Sequence, residues 1–375
     1  MSKSLYLAQV AVLGGALVLL IWRNLIMRVQ VLGWMALTAS IVLLYGVAGQ
    51  QTFYSNDQVE HVEMVNTILN GFSSDSDWLI FGARLPYTLP AALLTLAGIE
   101  TLLALKVVSL TALLILTSLV SRLVTATSIQ THFLFALLSS TMTVGVFFSS
   151  LGLRETTMMC LVFISFTADS PAIKATAVIG TFLLRPHLAV TVFAGLAITK
   201  LRRLKSDSGK MGPLATAAYI AIGSVSGQIL YQIGLVAQRN AFSSLELSVV
   251  ADGQIILRLA SNLVGLQFLT VPENTVNYSI PWLLLLRLPL AETVLIPCAF
   301  TLLLALTQEK SKLSESVMWA FTMYVGIAAS TDFNSFRQNI PFMPVMGLVV
   351  LLAWKEHRES RSEVQTPSLT ARRET

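Results

Sequence analysis

The sequence predicts an all-α, polytopic membrane protein of about nine to eleven transmembrane or half-inserted helices. Apolar side chains make up 54% of the 375 residues and mean hydropathy is +0.71, whereas soluble domains hold roughly 45–50% apolar residues. These residues fall in runs long enough to cross a bilayer, divided by polar segments. Lys and Arg gather in alternate connections, as in short cytoplasmic loops, so an isoelectric point near 9.3 reads as topology and gives no reason to invoke nucleic acid. Cys160 and Cys298 lie far apart inside apolar runs and imply neither a disulfide framework nor a paired-thiol zinc site.

Residues 5–22 read as a retained span, and Arg23 and Arg28 place the following turn inside. A second span, 29–49, leads to an outer amphipathic segment near 50–83. In YSNDQVEHVEMVNTILNG, Ser55 and Gln58 have capping-box spacing, Val59, Val62, Val65, Ile68 and Leu69 form one apolar stripe, and Gly71 closes the helix. That pattern predicts a helix lying on the membrane with its carboxylates turned away from lipid and Asp57 in the first turn, where the helix dipole favours an anion. Asp57 and His61 stand four apart like metal ligands, but two ligands do not define a site, and metal use stays open.

The short apolar piece after Pro86 and Pro90, TLPAALLTLAG, is too brief to cross and reads as re-entrant or half-inserted. Spans follow near 99–121, 131–150 and 156–168. Residues 174–199 carry Arg185, Pro186 and His187 at their middle, which predicts two half-helices meeting at a break. KLRRLKSDSGK then reads as a cytoplasmic loop, and further spans are expected at 213–234, 282–306, 315–330 and 339–354. The outer segment 235–280 contains ADGQIILRLASNLVGLQFL, an amphipathic helix expected to cover the carboxylate face. Residues 1–354 thus form one transmembrane domain, and 355–375 a polar cytoplasmic tail expected to be disordered. Lys106 and Glu100 sit near the ends of a span, where snorkelling would carry them to water, and Arg287 and Glu292 would pair across a turn. Met158 and Met159 read as packing residues.

Several of these pieces resemble, in order, the GT-C-type membrane glycosyltransferases, which use polyprenyl-phosphate sugars. NDQVEHVEMVNTILNG is similar to the family's first outer-loop motif, with Asp57 at its acidic position, Gln58 at the second acid and His61 at the usual Tyr. ARLPYTLPAALLTLAG resembles the short Pro-containing helix, SSLGLRETTMMCLVFISF the outer Arg-to-acid corner, TFLLRPHLAV the broken basic segment, and FNSFRQNIPFMPVMGLVVLL the start of a late span. The pair SSLGLRE and LLRPHLAV also resembles segments of membrane polysaccharide polymerases, which join lipid-linked oligosaccharides on the outer face.

Both resemblances imply glycosyl transfer at the extracytoplasmic face of a bacterial plasma membrane, in cell-surface glycan synthesis. Partners would be the bilayer, a polyprenyl-phosphate-linked sugar and a glycan or lipid acceptor. The reaction needs a base near the acceptor hydroxyl and positive charge on the leaving phosphate. The carboxylates offered are Asp57, as base, with Glu60 and Glu155; the cationic and polar groups for the lipid phosphate are Arg84, Arg154, Arg185, His187, Arg258 and Arg337. Arg185 and His187 carry extra weight because an ionisable group among lipid tails usually faces a polar cavity. A transporter or flippase of lipid-linked sugars and a non-catalytic assembly subunit remain alternatives.

Overall fold

The computed structural model describes residues 56–70, 84–126, 145, 148–149, 151–205, 212–241, 252–264, 295–306, 311–330 and 339–365. Every regular element among them is helical, in agreement with the expected all-α class. The expected spans 5–22 and 29–49, most of 131–150, the first half of 282–306, and Arg287, Glu292 and Arg337 lie outside the described residues.

In chain order the helices are α1 (Asn56–Leu69), α2 (Leu85–Leu96), α3 (Thr101–Ala126), α4 (Glu155–Thr167), α5 (Pro171–Leu184), α6 (Pro186–Lys205), α7 (Pro213–Ala241), α8 (Asp252–Val264), α9 (Leu295–Leu306), α10 (Lys312–Ala329) and α11 (Met343–Gln365). A short 3-10 turn, Ile340–Phe342, leads into α11. Helices α1 to α5 form one cluster, with α2 on α1 and α3, and α4 on α3 and α5. The other cluster is built around α10, which lies between α6 and α7 and is buried along its whole length from Ser314 to Ala329. Contacts of α4 with the 3-10 turn and α11, and the α5–α6 junction, join the two clusters.

The α6–α10–α7 layer packs through small residues. A Cβ at Gly195 would lie 2.8 Å from the Ala320 Cβ, one at Gly223 would strike Thr322, and one at Gly227 would strike the Met323 carbonyl. Ser224 returns the contact by lying against Gly326. The outer face of α7 is the reverse: Ile222, Val225, Ile229 and Ile233 recur at steps of three and four and are all exposed, as are Phe182 on α5 and Phe193 on α6. On α7, small and hydroxylated residues therefore face inward while large aliphatic ones face outward. Among the described residues, Pro213–Ile233 is the stretch long and apolar enough to cross a membrane; α2, α4, α5 and parts of α3, α8 and α9 are apolar but shorter.

Helix α10 is tied to α6 at two levels. Arg185, at the start of α6, donates to the Tyr324 hydroxyl at 2.9 Å. At the far end Glu315, wholly buried, pairs with Arg202 and, at 3.4 Å, with Arg203. Ser311 caps α10 by accepting from the Ser314 amide at 3.1 Å, and Tyr219 of α7 joins the cluster through Arg202 and through an edge-on contact with Trp319 at 4.8 Å. Burial opposes the Arg202 charge, but the hydrogen bond and attraction of Glu315, with a contribution from Tyr219, outweigh it and hold the guanidinium above its usual range.

Four expectations are corrected here. KLRRLK belongs to the last turns of α6 and is no loop, because Arg202 and Arg203 are held there by Glu315. Lys106 does not snorkel: it is wholly buried, with its stem packed over Gly152. Helix α8 exists, but it packs chiefly on α9 and α10, with Ser261 and Asn262 buried and Ile256 and Leu257 left exposed. Finally, α11 continues through the start of the polar tail to Gln365, where Lys, Glu and Arg are good helix formers.

Leucine at Gly227 forces α7 away from α10, so Gly227→Leu is expected to destabilise the protein by about 1–3 kcal/mol. Ile229→Leu, on the exposed face of the same helix, is expected to be neutral. Thermal unfolding in detergent, followed by fluorescence-detected size exclusion, measures both; equal melting temperatures for the two variants contradict the packing described.

Candidate functional site

The polar groups of the first cluster converge on the corner at residues 151–154, which precedes α4. Gly152 turns the chain with φ +66°, a left-handed conformation that L side chains rarely adopt, and a Cβ there would come within 2.9 Å of the Lys106 Cγ. The three successive carbonyls of this corner each accept a side-chain hydrogen bond from a different helix. Gln58 Nε2 of α1 donates to Leu151, the Tyr87 hydroxyl of α2 to Gly152, and Ser109 Oγ of α3 to Leu153 at 2.7 Å. Thr156 Oγ1 answers by donating to the Ser109 carbonyl at 3.1 Å. Each buried carbonyl thereby gains a partner, and Arg154 and Glu155 are fixed in place behind it.

Helix α1 sits on α2 and α3 with a rotation the sequence pattern did not give. Gln58, His61, Met64 and Val65 are its buried residues, while Val59 is 40% exposed. The carboxylate-bearing helix is thus held by polar side chains turned inward, since Gln58 and His61 find strong partners there that outweigh burying one more valine. Arg84 Nη1 donates to His61 Nε2 at 2.6 Å, and Arg84 Nη2 pairs with Glu60 Oε1 at 3.1 Å. Arg84 adopts φ +48°, ψ +43°, the one left-handed non-glycine among the described residues. That conformation costs roughly 1–2 kcal/mol, offset by its two side-chain bonds. The His61 ring meets Tyr87 edge-on at 5.2 Å. Asp57 lies in the first turn of α1, one turn before Glu60 and His61.

The break between α5 and α6 forms the other wall. Helix α5 ends at Leu184, Arg185 is extended, and Pro186 opens α6, as the Arg-Pro-His run predicts. Arg154 Nη1 reaches across to the Leu184 carbonyl at 3.4 Å, and the charges of Arg154 and Arg185 both act on His187. The His187 ring stacks on Tyr324 at 5.8 Å and 13°, and Tyr324 in turn rests on Phe342 at 5.3 Å. Glu155 is wholly buried in the first turn of α4.

The structure therefore joins Glu60 to Arg84, Arg154 to the end of α5, and Arg185 and His187 to Tyr324, with the corner before α4 bonded to α1, α2 and α3. The carboxyl group of Asp57 and all of Arg337 lie outside the described residues. Arg258 is carried by α8, whose Asn262 carbonyl accepts from Asn339 Nδ2 at 3.0 Å, just before the turn that holds Phe342. Among the described residues no three His, Cys, Asp or Glu side chains come together as a metal site. Sequence reasoning gave Gln58 a capping place and Lys106 a snorkelling one, and it missed Tyr87, Ser109 and Tyr324. Their only signal is that each is a polar group inside an otherwise apolar or amphipathic helix.

Compared with protein-family models, with curated proteins and with solved structures, the chain matches none.

Because Gly152 admits no side chain, Gly152→Ala is expected to displace the corner, weakening the carbonyl bonds from Gln58, Tyr87 and Ser109. The expected loss is about 1–3 kcal/mol from strain and overpacking. Gly98→Ala serves as the control: it has comparable positive φ but open space around its Cβ position. Protease resistance of the α3–α4 region reports the difference, and an unchanged digestion pattern in Gly152→Ala contradicts the clamp.

Proposed function

We propose that this chain is an integral membrane glycosyltransferase that takes a sugar from a polyprenyl-phosphate carrier and transfers it to an acceptor at the extracytoplasmic face of the bacterial plasma membrane. The membrane part rests on the outward aliphatic face of α5 to α7 and on the inward small residues of the α6–α10–α7 layer. That distribution suits packing in lipid, where no hydrophobic force draws helices together and close backbone approach must do so.

One observation carries the catalytic part: Arg154 and Arg185, from different helices, meet at the α5–α6 break, and the described bonds that orient them go to neutral oxygens, the Leu184 carbonyl and the Tyr324 hydroxyl. Arg84 stands apart, bonded to Glu60 and His61 on the α1 side. Two guanidinium groups acting on one imidazole at a helix break give an apolar setting a cationic end, and a phosphate on a lipid is the group that suits it. In the reaction the acceptor oxygen forms a bond to the anomeric carbon as the anomeric carbon–phosphate oxygen bond breaks. The electron pair leaves on the phosphate, stabilised by Arg154 and Arg185, and the acceptor proton passes to a carboxylate of α1. Asp57 and Glu60 are the carboxylates on offer; Glu155, wholly buried in the first turn of α4, is less suited to meeting an acceptor.

The polymerase alternative keeps this chemistry and changes the donor to a lipid-linked oligosaccharide. The transporter alternative has one feature in its favour, the Glu315–Arg202–Arg203 cluster tying α6 to α10 far from the break, where it would serve as an inner gate.

Purified protein in nanodiscs, given a polyprenyl-phosphate sugar and a mixture of glycan and lipid acceptors, is expected to release polyprenyl phosphate. Arg185→Ala is expected to lower the rate by about a hundredfold or more, and Asp57→Asn or Glu60→Gln by a comparable factor for whichever is the base. Product chains of several repeats support the polymerase. Movement of the intact lipid-linked sugar across liposomes without its consumption overturns the transferase reading.

A further inference from the structure

Tyr324 lies on α10, a helix to which the sequence gives no chemical part, and it is wholly buried. Its hydroxyl accepts from Arg185 Nη1 at 2.9 Å, while its ring lies nearly parallel to that of His187, 13° between planes at 5.8 Å. A single side chain thereby touches both residues flanking Pro186. Behind it the Phe342 ring, at 5.3 Å and 52°, fixes the tyrosine ring, and Phe321, one turn earlier on α10, also packs on Phe342 at 5.7 Å. The tyrosine is thus held by rigid aromatic neighbours, while the residues it holds sit at a helix break. Arg185 is extended there and Pro186 supplies no amide hydrogen, so backbone hydrogen bonding alone restrains that segment less than a continuous helix would.

A phenol suits this position for a physical reason. A carboxylate would orient a guanidinium equally well but would cancel its charge, as Glu60 does for Arg84. A hydroxyl takes one of the guanidinium's five N–H donors and sets its direction without adding a negative charge beside it. The planar ring adds a stacking surface that sets the imidazole plane, which an aliphatic hydroxyl does not offer.

From this we propose that Tyr324 is the positioning residue of the anion subsite, holding Arg185 and His187 as a pair so that both address the phosphate of a polyprenyl-phosphate ligand. The inference rests on the lipid-phosphate reading of the site. It adds that phosphate recognition depends on α10, and hence on the layer in which α10 is locked between α6 and α7.

Binding of farnesyl phosphate and of farnesol to purified protein in nanodiscs, read by native mass spectrometry, tests it. Wild type is expected to prefer farnesyl phosphate. Tyr324→Phe keeps the ring and loses only the hydroxyl, and is expected to weaken farnesyl phosphate binding about tenfold while leaving farnesol unchanged, as expected for a hydrogen bond to a charged group. Arg185→Ala is expected to weaken it at least as much, and the double variant no further than Arg185→Ala alone, since one interaction is being removed twice. A Tyr324→Phe protein that keeps the wild-type preference, or whose farnesol binding falls in parallel, overturns the part given to Tyr324 and leaves the lipid-phosphate reading standing. A wild-type protein with no preference for the phosphate overturns both.

Discussion

The arrangement depends on how one corner of the chain is held. Between Ser149 and Glu155 the backbone turns through a left-handed glycine, and its carbonyls at Leu151, Gly152 and Leu153 are taken by side chains of α1, α2 and α3 in turn. Buried carbonyls left without partners cost roughly 1–3 kcal/mol each, so these contacts have to form together. Once they do, α1 is rotated to turn Gln58 and His61 inward, α2 is fixed through Tyr87, and Arg154 is set to reach the end of α5. The acid-bearing helix and the α5–α6 break are brought to the same part of the fold by this corner.

The three arginines of that region are treated differently. Arg84 bonds a carboxylate and an imidazole and serves to fasten α1 to α2. Arg154 donates to the Leu184 carbonyl and Arg185 to the Tyr324 hydroxyl, one on each side of the α5–α6 break. At the other end of α6 the cations Arg202 and Arg203 meet the buried Glu315 and act as a structural clasp. His187 and Arg202 are fifteen positions apart on one helix, roughly 22 Å at 1.5 Å per residue, which approaches the roughly 30 Å hydrocarbon thickness of a bilayer. Polar groups concentrated at two such levels, with exposed side chains such as Val190 and Phe193 between them, suit the membrane-embedded reading proposed above.

Much of this was legible in the sequence, and the reasons differ from element to element. Helix α1 was readable from its valine spacing and α2 from its length and prolines, while the break at Arg185–His187 was readable because Pro186 cannot continue a hydrogen-bonded helix. The rotation of α1 was not, because an apolar stripe reports average burial and says nothing of a carbonyl 93 positions away that captures Gln58. Tyr324 and Glu315 were invisible for the same reason. Their partners stand 139 and 113 positions distant, and a lone polar residue in an apolar run carries no mark of which helix it will meet. Lys106 looked like a snorkelling residue because its place near a helix end was visible and the glycine that receives its stem was not.

The central claim is that the α1–corner–break assembly faces the exterior and the Glu315 clasp faces the cytoplasm. Single cysteines test it in a Cys298→Ser background, where the remaining Cys160 is buried. Glu63→Cys lies on the exposed side of α1 and Leu204→Cys on the exposed end of α6. With a membrane-impermeant maleimide, Glu63→Cys is expected to label in intact cells, and Leu204→Cys only in inside-out vesicles. Labelling of both from the same side, or recovery of both from a fraction free of membranes, contradicts the account.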